Sequence, residues 1–232
     1  MRDRPTFLLV HGGYHRSTCW SLLQEELTAR GWPSETVDMP SAGAQPPPNA
    51  GLYDDAEILA GRLRCMEGPV IVVAHSHSGL TITQLPAGIR QVAHLVYLAA
   101  FMPTEGESAA SCFGVPVPED VSGLAPPIAQ PRTRLYADVP AKGAELAVSR
   151  LVHQSLRSCT ETTTRAAWRD VSSTYVICEQ DQNFPVQLQE KYAAQATKTE
   201  RLPTSHSPFL SKPQALAELL IRAALTIRID AA

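Results

Sequence analysis

The stretch Pro69-Val-Ile-Val-Val-Ala-His-Ser76-His-Ser-Gly79 decides the fold. Its unbroken apolar run, Val70 to Ala74, shows no polar alternation, which is the pattern of a short strand buried on both faces of a parallel sheet. The run leads straight into a serine with small residues two positions to either side, Ala74 and Ser78. A chain that reverses from strand to helix within a few residues has no room for larger side chains there, and the usual form of such a turn is G-x-S-x-G. Ala74 and Ser78 replace the two glycines and Gly79 follows, so this is a relaxed version. Leu80 to Leu85 is compatible with the helix that should come next. Ser76 is therefore a candidate nucleophile, the alternative being a small residue that only fills a tight turn.

Three further segments join it: two are short apolar runs that deliver polar residues at their carboxyl ends, and the third is a loop ahead of a helical run. Phe7 to Val10 runs into His11-Gly12-Gly13, where glycine lets the backbone bend sharply and bring N–H groups close to a ligand. Thr174 to Cys178 delivers Glu179-Gln-Asp181, two candidate acids, of which Asp181 could instead cap the helix expected after Pro185. Arg201 to Leu210 carries His206 in a short loop ahead of a helical run, Pro213 to Leu225. A serine hydroxyl is a poor nucleophile near neutral pH and needs a hydrogen-bonded base. Histidine, with an ordinary pKa of about 6.5, can take that proton and return it to a leaving group.

The segments VHGGYHRSTCW, AHSHSG, YVICEQDQNFP and SHSPFLSKP resemble, in order and spacing, the α/β-hydrolase branch that holds plant hydroxynitrile lyases, plant methyl-ester esterases and bacterial pyrethroid-hydrolase-like esterases. The resemblance spans nearly the whole chain. It implies an α/β-hydrolase fold, a mostly parallel sheet of about six strands with helices on both faces and a cap inserted between strands. It also implies Ser76 as nucleophile, His206 as base, Asp181 as its partner, and the backbone N–H groups of Gly13 and His77 as the oxyanion hole. Ser, Asp, His is the order of that family's triad along the chain. The expected reaction is cleavage of a carboxylic ester or lactone of a small, fairly apolar molecule through an acyl-enzyme, with no metal and no organic cofactor. The lyases of this branch carry a lysine directly after the catalytic histidine; Ser207 stands there, which argues against cyanogenic lyase chemistry. A biosynthetic lyase, cyclase or lactone-forming enzyme using the same triad is the alternative, and a non-catalytic small-molecule binder a further one.

Composition fits one enzyme domain. The 232 residues, 44% of them hydrophobic, can fill a single α/β core. A net charge of -3 without a basic cluster argues against nucleic acid or an anionic membrane as partner, leaving a small-molecule substrate; a homodimer is compatible with the sequence. The first apolar run is too short for a signal peptide or a membrane span, so a cytoplasmic location is expected. The five cysteines are odd in number and lack C-x-x-C spacing, which favours reduced thiols over a disulfide framework or a zinc site.

Between these segments, strand-like and helix-like stretches alternate. A helix opening near Ser17 or Thr18 spaces Trp20, Leu23 and Leu27 along one face and ends at Gly31. Glu35 to Met39 reads as a strand, and a loop with three consecutive prolines leads to a helix with Ile58, Leu59, Leu63 and Met66 on one face. His94 to Ala99 reads as a further strand. From about 103 to 168 the alternation lapses, and this segment is expected to be the cap. Its first part is rich in Pro, Gly and Ser; its second contains a helical run, Pro140 to Leu156, that Asp138 could cap. Phe101, Met102, Phe113, Leu124, Leu135, Tyr136 and Trp168 are candidates to line an apolar pocket, each with the alternative of packing cap on core. His15 and Trp20 are read as packing around the first loop.

Overall fold

A computed structural model describes residues 4–45 and 47–227; of the three consecutive prolines, Pro46 lies outside the described residues. In chain order the elements are β1 (Thr6–Val10), α1 (Ser21–Ala29, preceded by a 3-10 turn, Ser17–Trp20), β2 (Ser34–Val37), β3 (Ala42–Gly43), α2 (Leu52–Arg64), β4 (Val70–His75), α3 (Ser78–Thr83) and β5 (Val92–Leu98). There follow α4 (Ala109–Cys112), α5 (Pro131–Tyr136), α6 (Ala141–Ser149), β6 (His153–Gln154), α7 (Leu156–Thr160), β7 (Ser173–Cys178), α8 (Val186–Ala193), β8 (Lys198–Leu202), α9 (Pro208–Ser211) and α10 (Pro213–Thr226).

Six strands form one sheet in the order β2-β1-β4-β5-β7-β8, every pair parallel. The four inner strands β1, β4, β5 and β7 are largely apolar because both faces are covered, whereas the edge strands β2 (Ser-Glu-Thr-Val) and β8 (Lys-Thr-Glu-Arg-Leu) are polar. Alternation sorts their side chains to the two sides: Leu8, Val10, Val72, Ala74, Tyr97 and Ile177 pack with Leu59 and Leu63 of α2 and Leu80 of α3. Phe7, Leu9, Ile71, Val73, Leu98 and Val176 pack with Leu23 and Leu27 of α1 and Leu216 and Leu220 of α10. Because all strands run the same way, their carboxyl ends leave the sheet along one edge. Gly12-Gly13, Ser76, Asp181 and His206, far apart in sequence, are delivered to that edge by topology alone.

Three local expectations are corrected. Ile58 is 49% exposed. The buried positions of α2 are Leu52, Asp55, Ala56, Leu59, Ala60 and Leu63, and Ile58 lies about 100° round the helix from Leu59. The helical run expected over Pro140 to Leu156 stops at Ser149, because Gln154 and His153 pair antiparallel with Ala42 and Gly43 in the β3–β6 ladder. Asp138 does not cap α6; its carboxylate accepts from the backbone N–H of Ser205 at 3.0 Å and from the Ser205 hydroxyl. No helix among the described residues is long and apolar enough to cross a membrane.

Candidate active site

Ser76 follows β4 in a left-handed conformation, φ 52°, which a non-glycine residue adopts only when its surroundings hold it there. They do: its N–H donates to Leu98 O, and its carbonyl accepts from the N–H groups of Gly79 and Phe101, each at 3.1 Å. The closest approach in the turn falls at Gly79, where an added Cβ would lie 1.9 Å from Phe101 O. Ser78, standing where the second glycine of the usual motif would be, is buried and donates its hydroxyl to His11 O. The first glycine-rich loop abuts the same turn, since a Cβ on Gly12 would lie 2.6 Å from His75 Nδ1.

Asp181 and His206 meet below this turn. His206 Nδ1 lies 2.7 Å from Asp181 Oδ2, with both side chains almost wholly buried. Asp181 Oδ1 also accepts the N–H groups of Asn183 and Phe184, both at 2.8 Å, and Oδ2 accepts Gln189 Nε2 at 3.1 Å. The carboxylate therefore orders the turn before α8 and orients the imidazole at once. Glu179, the rival acid, is 43% exposed and faces Arg201. An ionised Asp181 has only acceptors, so the Nδ1 proton sits on His206 and Nε2 is left as the acceptor. Asn183 Nδ2 lies 3.4 Å from that Nε2. Ser76 and His206 face the same cavity, although no hydrogen bond joins Ser76 Oγ to Nε2 among the described residues. Such contacts are commonly loose until substrate is bound.

The other histidines of this region are neutral. His75 donates Nε2–H to His206 O at 2.9 Å and is packed by Trp20 and Phe209; burial, then the neighbouring His206, lowers its pKa well below 6.5. His15 donates Nδ1–H to Gly13 O at 2.7 Å and accepts from Tyr136 OH at 2.7 Å. His77 turns its ring to the 103–168 segment, donating Nε2–H to Ser158 O at 3.1 Å. Burial lowers the pKa of each of these two to about 4. Among the described residues, His206 is the histidine with a buried carboxylate against its ring. Gly13 and His77 both border the cavity, and neither backbone N–H is used in a hydrogen bond with another described residue.

The cavity, about 710 Å³, is mostly apolar. Of the expected lining residues, Phe101, Phe113, Leu124 and Leu135 form its wall. Met102 is buried in the core instead, and Tyr136 borders a separate cavity of about 170 Å³ beyond His15. Trp168 packs against the core and donates its indole N–H to Pro103 O at 2.9 Å, joining the two ends of the 103–168 segment. One cation enters the wall, Arg134, which has no carboxylate within salt-bridge distance among the described residues. Asn183 and the buried Gln154 are the site residues that sequence reading missed, for neither belongs to a spaced motif. No cluster of three or more His, Cys, Asp or Glu suited to a metal ion occurs among the described residues. Ser207 is fully buried.

The model of the alpha/beta hydrolase family matches residues 7–219. Over 242 residues the chain is 28% identical to "Alpha/beta hydrolase nvfD" of Aspergillus novofumigatus, covering 95% of this chain and 97% of that protein. It is 28% identical over 260 residues to "Methylesterase 7" of Arabidopsis thaliana, covering 96% and 97%. The crystal structure of the methylesterase MES16 from Arabidopsis superposes with a TM-score of 0.80 at 23% identity, covering 96% of this chain and 100% of that one. From its sheet to its strand-end loops, the chain belongs to the alpha/beta hydrolase family.

Proposed function

We propose that this protein hydrolyses a carboxylic ester, or a lactone, of a fairly apolar small molecule through an acyl-enzyme on Ser76. The observation that carries this reading is the left-handed Ser76 at the edge where the buried His206–Asp181 pair faces the same cavity. His206 Nε2 takes the Ser76 proton as Oγ attacks the ester carbonyl, and Asp181 stabilises the resulting imidazolium. The backbone N–H groups of Gly13 and His77 meet the negative charge on the carbonyl oxygen, an effect worth about 10² to 10³ in rate per donor. His206 then protonates the departing alcohol, and water deacylates Ser76 by the same steps in reverse order. Asn183 Nδ2, near the base, can hold Nε2 as an acceptor until the serine hydroxyl displaces it.

The residues from about 103 to 168 act in this reading as a cap whose apolar side chains choose the substrate. Five free thiols support a cytoplasmic enzyme, and the partners proposed are a small-molecule substrate and, as an open state, a second copy of the chain, with neither nucleic acid nor membrane. A chain-length series of p-nitrophenyl esters, with intact-mass detection of the acyl adduct, tests the chemistry. An adduct on wild type that is missing from Ser76→Ala is expected; turnover by Ser76→Ala equal to wild type would reject the proposal.

A further inference from the structure

Tyr14, the residue after Gly13, is held in a left-handed conformation, φ 62°. Both its backbone groups are gripped by one short stretch of the 103–168 segment. Its N–H donates to Gln154 Oε1 at 3.1 Å, and its carbonyl accepts from Val152 N–H at 2.9 Å. Gln154 cannot turn over, because its Nε2 is committed to Ser41 Oγ at 2.9 Å and Ser158 Oγ at 2.6 Å. Ser41 in turn donates its N–H and hydroxyl to the two oxygens of Asp55, at 2.9 and 2.6 Å, and Ser158 donates its hydroxyl to Ser155 O at 2.8 Å. Ser41, Asp55, Gln154 and Ser158 are each no more than 1% exposed. The network is thus buried and its members satisfy one another, the condition under which polar groups rigidify a core.

The same stretch reaches the second loop of the site. Ser158 O accepts His77 Nε2–H, and an added Cβ on Gly13 would lie 3.3 Å from His77 Cβ and 3.5 Å from Gln154 Oε1. The turns carrying the two free N–H groups therefore converge on Gln154 and its clamp. We propose that Gln154 is a positioning residue for the oxyanion hole: by fixing Tyr14, it sets the angle at which the Gly13 N–H meets His77 N–H at the reacting carbonyl oxygen. Docking of residues 152–158 and transition-state stabilisation are then one event. This rests on the reading of Gly13 and His77 as oxyanion donors.

The test is Gln154→Met, which keeps length and volume and removes the acceptor for Tyr14 N–H. The expected result is a kcat lower by about 10- to 100-fold with KM unchanged within about threefold, as for loss of part of an oxyanion hole. An alkyl boronic acid reports the same geometry: Ser76 Oγ adds to boron, its proton passes to His206, and a boronate oxygen takes the oxyanion position. Its affinity should fall by a similar factor, while an unreactive carboxamide analogue of the ester binds as before. A folded Gln154→Met with wild-type kcat and boronate affinity, or a loss carried only by KM, would overturn the proposal. Should that variant fail to fold, Ser158→Ala, which frees one hydrogen of the amide, is expected to lower kcat and boronate affinity by about threefold to tenfold, and no change in either would equally overturn it. A wild-type protein that formed neither acyl-enzyme nor boronate adduct would instead remove the ester-hydrolase reading beneath it.

Discussion

The two walls of the cavity are built differently. On one side Gly13, Ser76, Asn183 and His206 stand a few residues beyond β1, β4, β7 and β8, strands held by continuous parallel ladders. On the other side, the wall from Phe113 to Ala129 is mostly irregular, with Phe113, Val115 and Val117 46%, 55% and 52% exposed. Residues 116–122 make no backbone hydrogen bond to the rest of the chain among the described residues. A reacting atom must be placed to within a fraction of an ångström, so it belongs on the rigid wall; a substrate's apolar body tolerates a wall that adapts. Gln154 joins the two walls, its side chain on Tyr14 and its carbonyl on Ala125 N–H, beside a direct bond from the Tyr14 hydroxyl to Pro126 O at 2.7 Å.

Substitutions on the two walls should therefore differ by orders of magnitude. Ser76→Ala and Asp181→Asn are expected to lower esterase kcat by about 10⁴-fold or more, because triad members act as a unit, with circular dichroism unchanged. Comparable turnover by either variant would dissolve the distinction. On the same wall, Gly79→Ala drives a Cβ against the Phe101 carbonyl, a backbone clash with no flexible side chain to yield. It should cost about 3 kcal/mol of stability or more, read from urea unfolding.

Acid should also strike the rigid side first. Burial lowers the pKa of His15, His77 and His94 to about 4, and that of His75 well below its ordinary value. Between about pH 6.5 and 4 the unfolded chain then binds more protons at these groups than the folded one, so stability falls as pH falls through that window. Asp55 acts in the opposite sense. Burial raises it to about 7, so the folded state keeps a proton that the unfolded chain has lost above about pH 4, and its contribution fades as pH rises towards 7. Four histidines outweigh one carboxyl group. Tm should drop from pH 7.5 to 5, and more steeply in Asp55→Asn, where the opposing group is gone; a wild-type Tm that rose on acidification would contradict this balance.

The smallest effects belong to the adaptable wall. Phe113→Ala should shift chain-length preference by a few-fold in kcat/KM while leaving kcat for the best ester nearly unchanged, since it alters shape and not the reacting groups. Neutral esters are expected to exceed carboxylate-bearing ones of matched size. Arg134 lines the wall but is exposed, so Arg134→Ala should change the anionic series by no more than about fivefold and the neutral series hardly at all. A clear advantage for the anionic series would make Arg134 a substrate-binding residue and give the outer wall a larger role than shape.

The rigid wall was also the legible one. Short apolar runs announced the inner strands β1, β4, β5 and β7, and the residues after them placed Ser76 and Asp181 at the edge; β8, Lys198–Leu202, is too polar to read as a strand, and His206 was assigned from its loop and the family resemblance. Gln154 was hidden for the opposite reason. It stands in a stretch whose composition suits a helix, and only pairing with Ala42 and Gly43, more than a hundred residues away, pulls it into a strand. Trp168 took the packing alternative: a large apolar side chain at the end of the 103–168 segment suits a pocket and a seam alike, and its indole N–H found a carbonyl in the seam. Asn183 carries no signal at all without the cavity that it borders.

An all-parallel sheet that gathers its groups at one edge also sets a schedule. His75 bonds the carbonyl of His206 across 131 positions of chain, and β8, the last strand, must pair with β7 before His206 is delivered. In the proposed reading, a nascent or truncated chain ending before Leu202 carries Ser76 on a nearly complete sheet but lacks His206, the residue proposed as its base. On that reading, reactivity is gained only once the last strand and the loop after it are in place.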